Sequence, residues 1–265
     1  MTATEEEVSK TAAAAAAGRH DPETGALERE VVEIPNSASN WKTFLKSKDF
    51  QTHPFRYPAG ITNIVGSLGA GKSTLVYNLL QELSAIIKPE KLGRVIYYSG
   101  SGSDKLLEAY DKDRVEMYDK RSKESFITAL KEIQNDAMTI PHDKKKMNIL
   151  VVDDAITDAD VMPTNIKSKT ELSNLMMSAR HTPVSIFLTS QKYSAIPPFA
   201  RHNASHLFAF RTKSPAETKA ILADANFVKK EVEDAFNSLT ESNEFLWMQM
   251  ADRNIIKGFN QPLCY

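Results

Sequence analysis

Residues 61–80 read ITNIVGSLGAGKSTLVYNLL: an apolar run, a turn built on three glycines, then an apolar-periodic stretch that opens on Lys72 and Ser73. Such a segment has few ways to fold. Ile61–Val65 is apolar on both faces, as a strand buried between two layers is. Glycines at 66, 69 and 71 let the backbone curl until several N–H groups converge on one anion. A helix that starts near Lys72 turns its positive end toward the same point. The residues Gly66, Ser67, Leu68, Gly69, Ala70, Gly71, Lys72 and Ser73 match the spacing G-x-x-x-x-G-K-S/T, and Thr74 follows. In that pattern the lysine reaches the β- and γ-phosphates and the hydroxyl ligands Mg²⁺. The implied ligands are ATP and Mg²⁺, with Gly66 to Thr74 as the binding set. A chance match in a turn requires neither a strand before it nor a helix after it, and both patterns are present.

Two further segments supply the rest of a hydrolytic site. MNILVVDDA is an apolar strand followed by Asp153 and Asp154. Asp153, at the strand's carboxyl end, suits the Mg²⁺ position beside Ser73. Asp154 suits the group that orients and deprotonates an attacking water. The alternative, a helix cap or turn after a buried strand, loses ground once the phosphate loop is present. VSIFLTSQ ends the next strand on Thr189, Ser190 and Gln191. If this strand lies between the phosphate-loop strand and the Asp153 strand, Gln191 faces the γ-phosphate and is placed to sense it. A plain strand-ending turn is the competing reading. Arg180 and Arg201 are the arginines nearest this machinery in sequence. Either is a candidate for stabilising γ-phosphate charge in a neighbouring subunit, although arginines at helix ends are common on their own account.

The intervening patterns alternate. Strand-like runs cover Ile61–Val65, Arg94–Ser99, Val115–Tyr118, Asn148–Val152, Val184–Thr189 and His206–Arg211. Helical patterns cover Ser73–Ile87, Asp104–Asp111, Ser122–Ala137, Lys167–Ala179, Pro215–Asn226 and Lys229–Ser238, and a hairpin is expected from Glu244–Met250 and Asn254–Phe259. This predicts an α/β fold of P-loop type, a mostly parallel sheet with helices on both faces. The expected domain spans 36–265, with its motif core at about 60–211 and a C-terminal helix and hairpin at 214–260. Residues 1–35 hold an alanine run, Ala12–Ala17, and few large apolar groups, and read as a disordered tail. Asn40–Phe50 carries enough apolar residues to pack on the domain.

Charge divides unevenly: −5 over residues 1–35 and +4 over the remainder, within a net −1. A mildly basic body is compatible with a polyanionic partner. No apolar run is long enough to cross a membrane as a helix, and the acidic start is not a secretory signal. A single cysteine, Cys264, forms no internal disulfide and suits a reducing compartment. The six histidines share no metal-ligand spacing, so no zinc is expected. Lys144–Lys146 precedes the Asp153 strand, on the edge away from the phosphates, and reads as a solvated loop. Gly100–Ser103 resembles a second phosphate loop but lacks the lysine, so a turn is expected there.

Taken together, GSLGAGKST, ILVVDD and SARHTPVSIFLTSQKYSAIPPFARHN resemble the viral genome-packaging ATPases of the FtsK–HerA superfamily, poxvirus and large DNA virus type. The resemblance covers roughly residues 60–211 and includes Arg180-His181, Ser190-Gln191 and the run Ile196-Pro197 to Arg201-His202-Asn203. It implies an ASCE-type P-loop ATPase that forms a homo-oligomeric ring and translocates double-stranded DNA into a viral capsid, in the infected cell and in association with the virion. One departure is Asp153-Asp154, where the superfamily often has Asp-Glu; the shorter side chain alters the distance from carboxylate to water. The loop after Asp154, with Lys167 and Lys169, and the loop after Gln191, with Lys192 and Tyr193, are the expected DNA contacts. A small-molecule kinase and a non-hydrolysing nucleotide switch are the competing readings. A kinase needs a basic lid, and no arginine-rich insertion follows Gln191. The acid pair and Gln191 speak against a mere switch.

Overall fold

The computed structural model describes residues 19–20, 27–28, 59–87, 89–100, 115–141, 144–155, 158–162, 170–179, 182–212, 214–225, 227–250, 253–258 and 261–262. The chain divides into two units, Met1–Glu33 and Ile34–Tyr265. In the first, within the tail expected to lack structure, Arg19–His20 pairs antiparallel with Leu27–Glu28. The rest of residues 1–35, Asn40–Phe50 and the expected helix at Asp104–Asp111 fall outside the described residues.

The second unit is built on one sheet. Its strands in chain order are β1 (Gly60–Val65), β2 (Leu92–Ser99), β3 (Val115–Asp119), β4 (Met147–Asp153), β5 (Val184–Ser190), β6 (Ala204–Phe210), β7 (Phe245–Gln249), β8 (Asn254–Lys257) and β9 (Gln261–Pro262). Across the sheet they run β9-β8-β7-β6-β1-β5-β4-β2-β3. The pairings among β1 to β6 are all parallel. The last three strands add antiparallel, β7 on β6, then β8 and β9. The helices are α1 (Lys72–Ile86), α2 (Lys123–Thr139), α3 (Glu171–Ser178), α4 (Pro198–His202), α5 (Pro215–Ala225) and α6 (Lys229–Asn237). No helix among the described residues is long and apolar enough to cross a membrane.

Strand side chains alternate between two buried layers. Ile96, Tyr98, Leu150, Val152, Ile186 and Leu188 join one cluster with residues of α2, α3, α5 and α6. Val95, Tyr97, Ile149, Val151 and Phe187 are equally buried but stand outside it, as do Leu75, Val76, Leu79, Leu80 and Leu83 of α1. The sheet is therefore covered on both faces. That is why its central strands are buried along their length and read as largely apolar runs, with a few buried polar residues such as Thr62, Asn63 and Ser185, rather than as alternating ones.

The expected strands are found with ends shifted by two residues or fewer, and the fold class holds. Lys167–Ala179 starts later than its periodicity suggests. Thr170 caps α3: its hydroxyl accepts from the Ser173 N–H at 3.2 Å, while the Ser173 hydroxyl accepts from the Thr170 N–H at 2.9 Å. That reciprocal pair is a capping box, with Thr170 itself extended and the helix starting at Glu171. The short α4, with Pro198 in its first turn, gave no periodic signal. The C-terminal hairpin extends the main sheet: Trp247 of β7 is buried and stacks on Phe208 of β6, centroids 5.6 Å apart and planes 12° from parallel.

Candidate nucleotide site

The loop between β1 and α1 is shaped by its glycines and by what lies beneath it. Gly69 and Gly71 have φ of 77° and 101°, in the left-handed region that glycine adopts without strain. Gly66 has a different reason. A Cβ on it would meet Phe210 Cβ at 2.8 Å, and the Phe210 ring lies 3.6 Å from the corresponding position on Gly71. Phe210, the last residue of β6, is the floor of the loop. The Gly66 N–H donates to the Ser190 carbonyl at 3.1 Å, which ties the loop's start to the end of β5. Ser67, Leu68 and Gly69 form the exposed crest.

Lys72 folds back over the loop it follows. Its Nζ donates to the carbonyls of Gly66, at 2.8 Å, and Ser67, at 3.2 Å. Burial holds its ammonium below the ordinary lysine value, against the upward pull of Asp154 and Asp153. That pull is the electrostatic sign that both acids share a field with the loop. Because β5 lies between β1 and β4, the condition set for Gln191 is met. Gln191 Nε2 donates to Asp154 Oδ2 at 2.7 Å. Lys72, Asp153, Asp154 and Gln191 thus converge at the carboxyl ends of three adjacent parallel strands, where open α/β sheets place ligands.

The acid pair sits in a constrained turn. Asp154 has φ 47°, unusual for a residue with a side chain. Gly100, just past β2, donates its N–H to the Asp153 carbonyl at 2.7 Å, and a Cβ there would meet the Asp154 carbonyl oxygen at 2.4 Å. Beyond the turn, Tyr98 donates to Asp158 at 2.7 Å, and Lys123 at the start of α2 bonds Asp160. The residue set suits Mg²⁺. The Ser73 hydroxyl and the Asp153 carboxylate are hard oxygen donors, and two protein ligands are what this ion takes when phosphates and water fill its other positions.

Other expected residues are placed differently. Arg201 binds Asp224 of α5 in its own chain at 2.6 Å, its guanidinium 5.2 Å from the centre of the Tyr193 ring. Among the described residues no contact joins it to Lys72, Asp153, Asp154 or Gln191. Arg180 falls outside the described residues, as do Lys167 and Lys169. Tyr193, expected on a DNA-facing loop, is buried instead, with its N–H donated to Glu217 at 2.6 Å. The apolar sequence around it, Ile196 and Ala200, packs inward and takes Tyr193 along. Lys192 beside it stays exposed. Phe210 and Gly100 were not singled out as site residues by sequence. Gly100 opens Gly100–Ser103, which reads as a turn rather than a second phosphate loop, and Phe210 reads like any other strand aromatic.

A profile of the family described as "Poxvirus A32 protein" matches residues 43–245. This chain belongs to that family. No curated protein matches the A32-family chain in sequence. Among solved structures it is similar to B204, the DNA-packaging ATPase from Sulfolobus Turreted Icosahedral Virus, with 20% identity, a TM-score of 0.59, and coverage of 78% of this chain and 100% of that one. It is also similar to the genome packaging NTPase B204 of Sulfolobus turreted icosahedral virus 2 in complex with sulfate, with 18% identity, a TM-score of 0.58, and coverage of 78% and 98%. A third likeness is to EssC, ATPases 2 and 3, from Geobacillus thermodenitrificans, with 15% identity, a TM-score of 0.55, and coverage of 77% and 39%. Identities this low speak for the fold. Family and site geometry together give the A32-family chain the fold of a P-loop ATPase, with the phosphate loop, the acid pair and Gln191 gathered at one edge of the sheet.

Proposed function

We propose that this protein is the motor of viral genome packaging: a homo-oligomeric ring that hydrolyses ATP to drive double-stranded DNA into a capsid in the infected cell. The observation that carries the reading is the convergence of Lys72, Asp153, Asp154 and Gln191 on the phosphate loop, in a family chain whose fold is shared with packaging ATPases. Lys72 neutralises β/γ-phosphate charge as it is released from the carbonyls of Gly66 and Ser67. Ser73 and Asp153 would hold Mg²⁺, which screens the phosphates when bound. Asp154 takes the proton of the attacking water. The Gln191 amide, resting on Asp154, exchanges that contact for the γ-phosphate and so reports whether the phosphate is present.

DNA is reached through the loops after β4 and β5, which leave the nucleotide edge of the sheet and respond when phosphate departs. Lys167, Lys169 and Lys192 are the cations on those loops. Lys144–Lys146 immediately precedes β4, at the opposite edge. The test is ATP turnover with and without duplex DNA. Wild type should be stimulated, and Lys167→Ala with Lys169→Ala should keep basal turnover, lose stimulation, and lower the salt slope of DNA binding by about one per phosphate contact removed. Absence of stimulation in wild type rejects translocation. If the Lys144/Lys145/Lys146 triple alanine variant loses stimulation and the pair does not, the DNA path lies on the other edge.

A further inference from the structure

The β4–β5 ladder stops one row short of the acids. It ends at Val152 opposite Leu188. Yet β5 continues beside β1 to Ser190, and β4 continues beside β2 to Asp153. At the row of Asp153 and Thr189 the two strands have parted, and one oxygen bridges them. Thr189 Oγ1 accepts from the Asp154 N–H at 3.0 Å and donates to Asp153 Oδ1. An amide N–H only donates, so the hydroxyl's single proton is committed to the Asp153 carboxylate. Thr189 is 1% exposed and Asp153 8%, so water competes little for either bond.

Strain gives the contact a purpose. A left-handed backbone is unfavourable at a residue with a Cβ, less so at aspartate than at most, and is steadied by the neighbours that hold it. At Asp154 the enforcement comes from both sides. Gly100 lets the Asp154–Ala155 backbone pass close against β2, and the Thr189 hydroxyl pins the Asp154 N–H from β5.

We infer that Thr189 is a positioning residue that sets both acids at once, aiming the Asp153 carboxylate at the metal and holding Asp154 in its left-handed turn toward the water. This rests on the reading of Asp154 as the group that takes the water's proton. Thr189 is buried and its hydroxyl is taken up by Asp153 and Asp154, so it acts through the two acids. A threonine that only filled space would be replaced by valine at little cost to function.

The experiment uses the full chain. Thr189→Val keeps the shape and removes the hydroxyl, while Thr189→Ser keeps the hydroxyl. Valine should lower turnover by about 10–100-fold, the range seen when outer-shell partners of metal ligands are lost. Affinity for a non-hydrolysable ATP analogue without Mg²⁺ should stay unchanged, while the gain in affinity that Mg²⁺ confers should shrink. Serine should restore turnover to within about threefold. In an Asp154→Asn background valine should still cost the share that runs through Asp153, but less than its full factor, because residues acting as a unit are strongly non-additive. Thr189→Cys, a weak donor of similar size, replaces valine in these measurements if the melting curve shows that valine does not fold. Wild-type turnover and Mg²⁺ gain in the valine variant overturn the inference, as does a full multiplicative loss in the Asp154→Asn background. Normal turnover of Asp154→Asn alone rejects the reading of Asp154 and is distinguishable from both.

Discussion

An ammonium group partly stripped of water needs anions or carbonyls to replace its hydration. Lys72 has two carbonyls and, at longer range, two carboxylates. None of these is a full partner, and a triphosphate is. Lys72→Ala removes the only side-chain cation of the loop. We expect turnover to fall by at least about 10²-fold, the scale of losing one well-placed electrostatic contact to a developing charge. Nucleotide affinity should weaken with it; steady-state hydrolysis and analogue binding check both, and wild-type turnover would reject the assignment. At this scale the sequence was most informative where chemistry demands particular residue types at fixed spacing: Gly66 to Thr74, Asp153-Asp154 and Gln191. It was silent where a role arises from contact across strands. Nothing in a linear reading pairs Thr189 with Asp154, or Phe210 with Gly66, because those contacts depend on strand order and register.

Elements were legible in proportion to how far their periodicity outran their ends. The parallel strands announced themselves as apolar runs bounded by polar groups. Short α4 did not, since five residues carry no helical period. The hairpin was legible as a hairpin but not as part of the main sheet, because its attachment is made by aromatic contacts between strands far apart in the chain. Trp247 is the centre of that attachment. It is fully buried, stacks on Phe208, and donates Nε1–H to His206 Nδ1 at 3.3 Å. Burial pushes His206 down to about 4, so its ring is neutral and Nδ1 can accept near pH 7. Trp247→Ala should cost about 3–5 kcal/mol, the range for emptying a large aromatic site, read by chemical denaturation. A surface control, Lys229→Ala, should stay within about 0.5 kcal/mol. Equal, small effects would mean that the hairpin is not integral to the core.

For the whole molecule, the proposed ring raises the question of where the transition-state cation beyond Lys72 comes from. A head-to-tail interface presents a different surface of one protomer to the nucleotide edge of the next, so an arginine far from its own site serves its neighbour's. Arg201 is poorly suited to that part. Its guanidinium is committed to Asp224 at 2.6 Å and lies over Tyr193, and it is only 14% exposed. To act in trans it would have to abandon a partly buried ion pair inside its own chain and leave Asp224 to His202, at 3.2 Å. Its role is to brace the segment after Gln191 against α5, with Glu217 holding the other end through Tyr193 and Ser194. Arg180, two residues past α3 in sequence, is then the candidate for the neighbour's γ-phosphate. Arg180→Ala should bind nucleotide as wild type does and hydrolyse it about 10³-fold more slowly or worse, the scale of a lost arginine finger. Mixing it with Lys72→Ala protomers, each inactive alone, should restore part of the activity. An interface that joins an intact phosphate loop to an intact arginine then exists in the mixed ring. Arg201→Ala should behave otherwise: a lower melting temperature and no rescue on mixing. Rescue by Arg201→Ala and none by Arg180→Ala would reverse the assignment, and no rescue by either would remove trans action altogether.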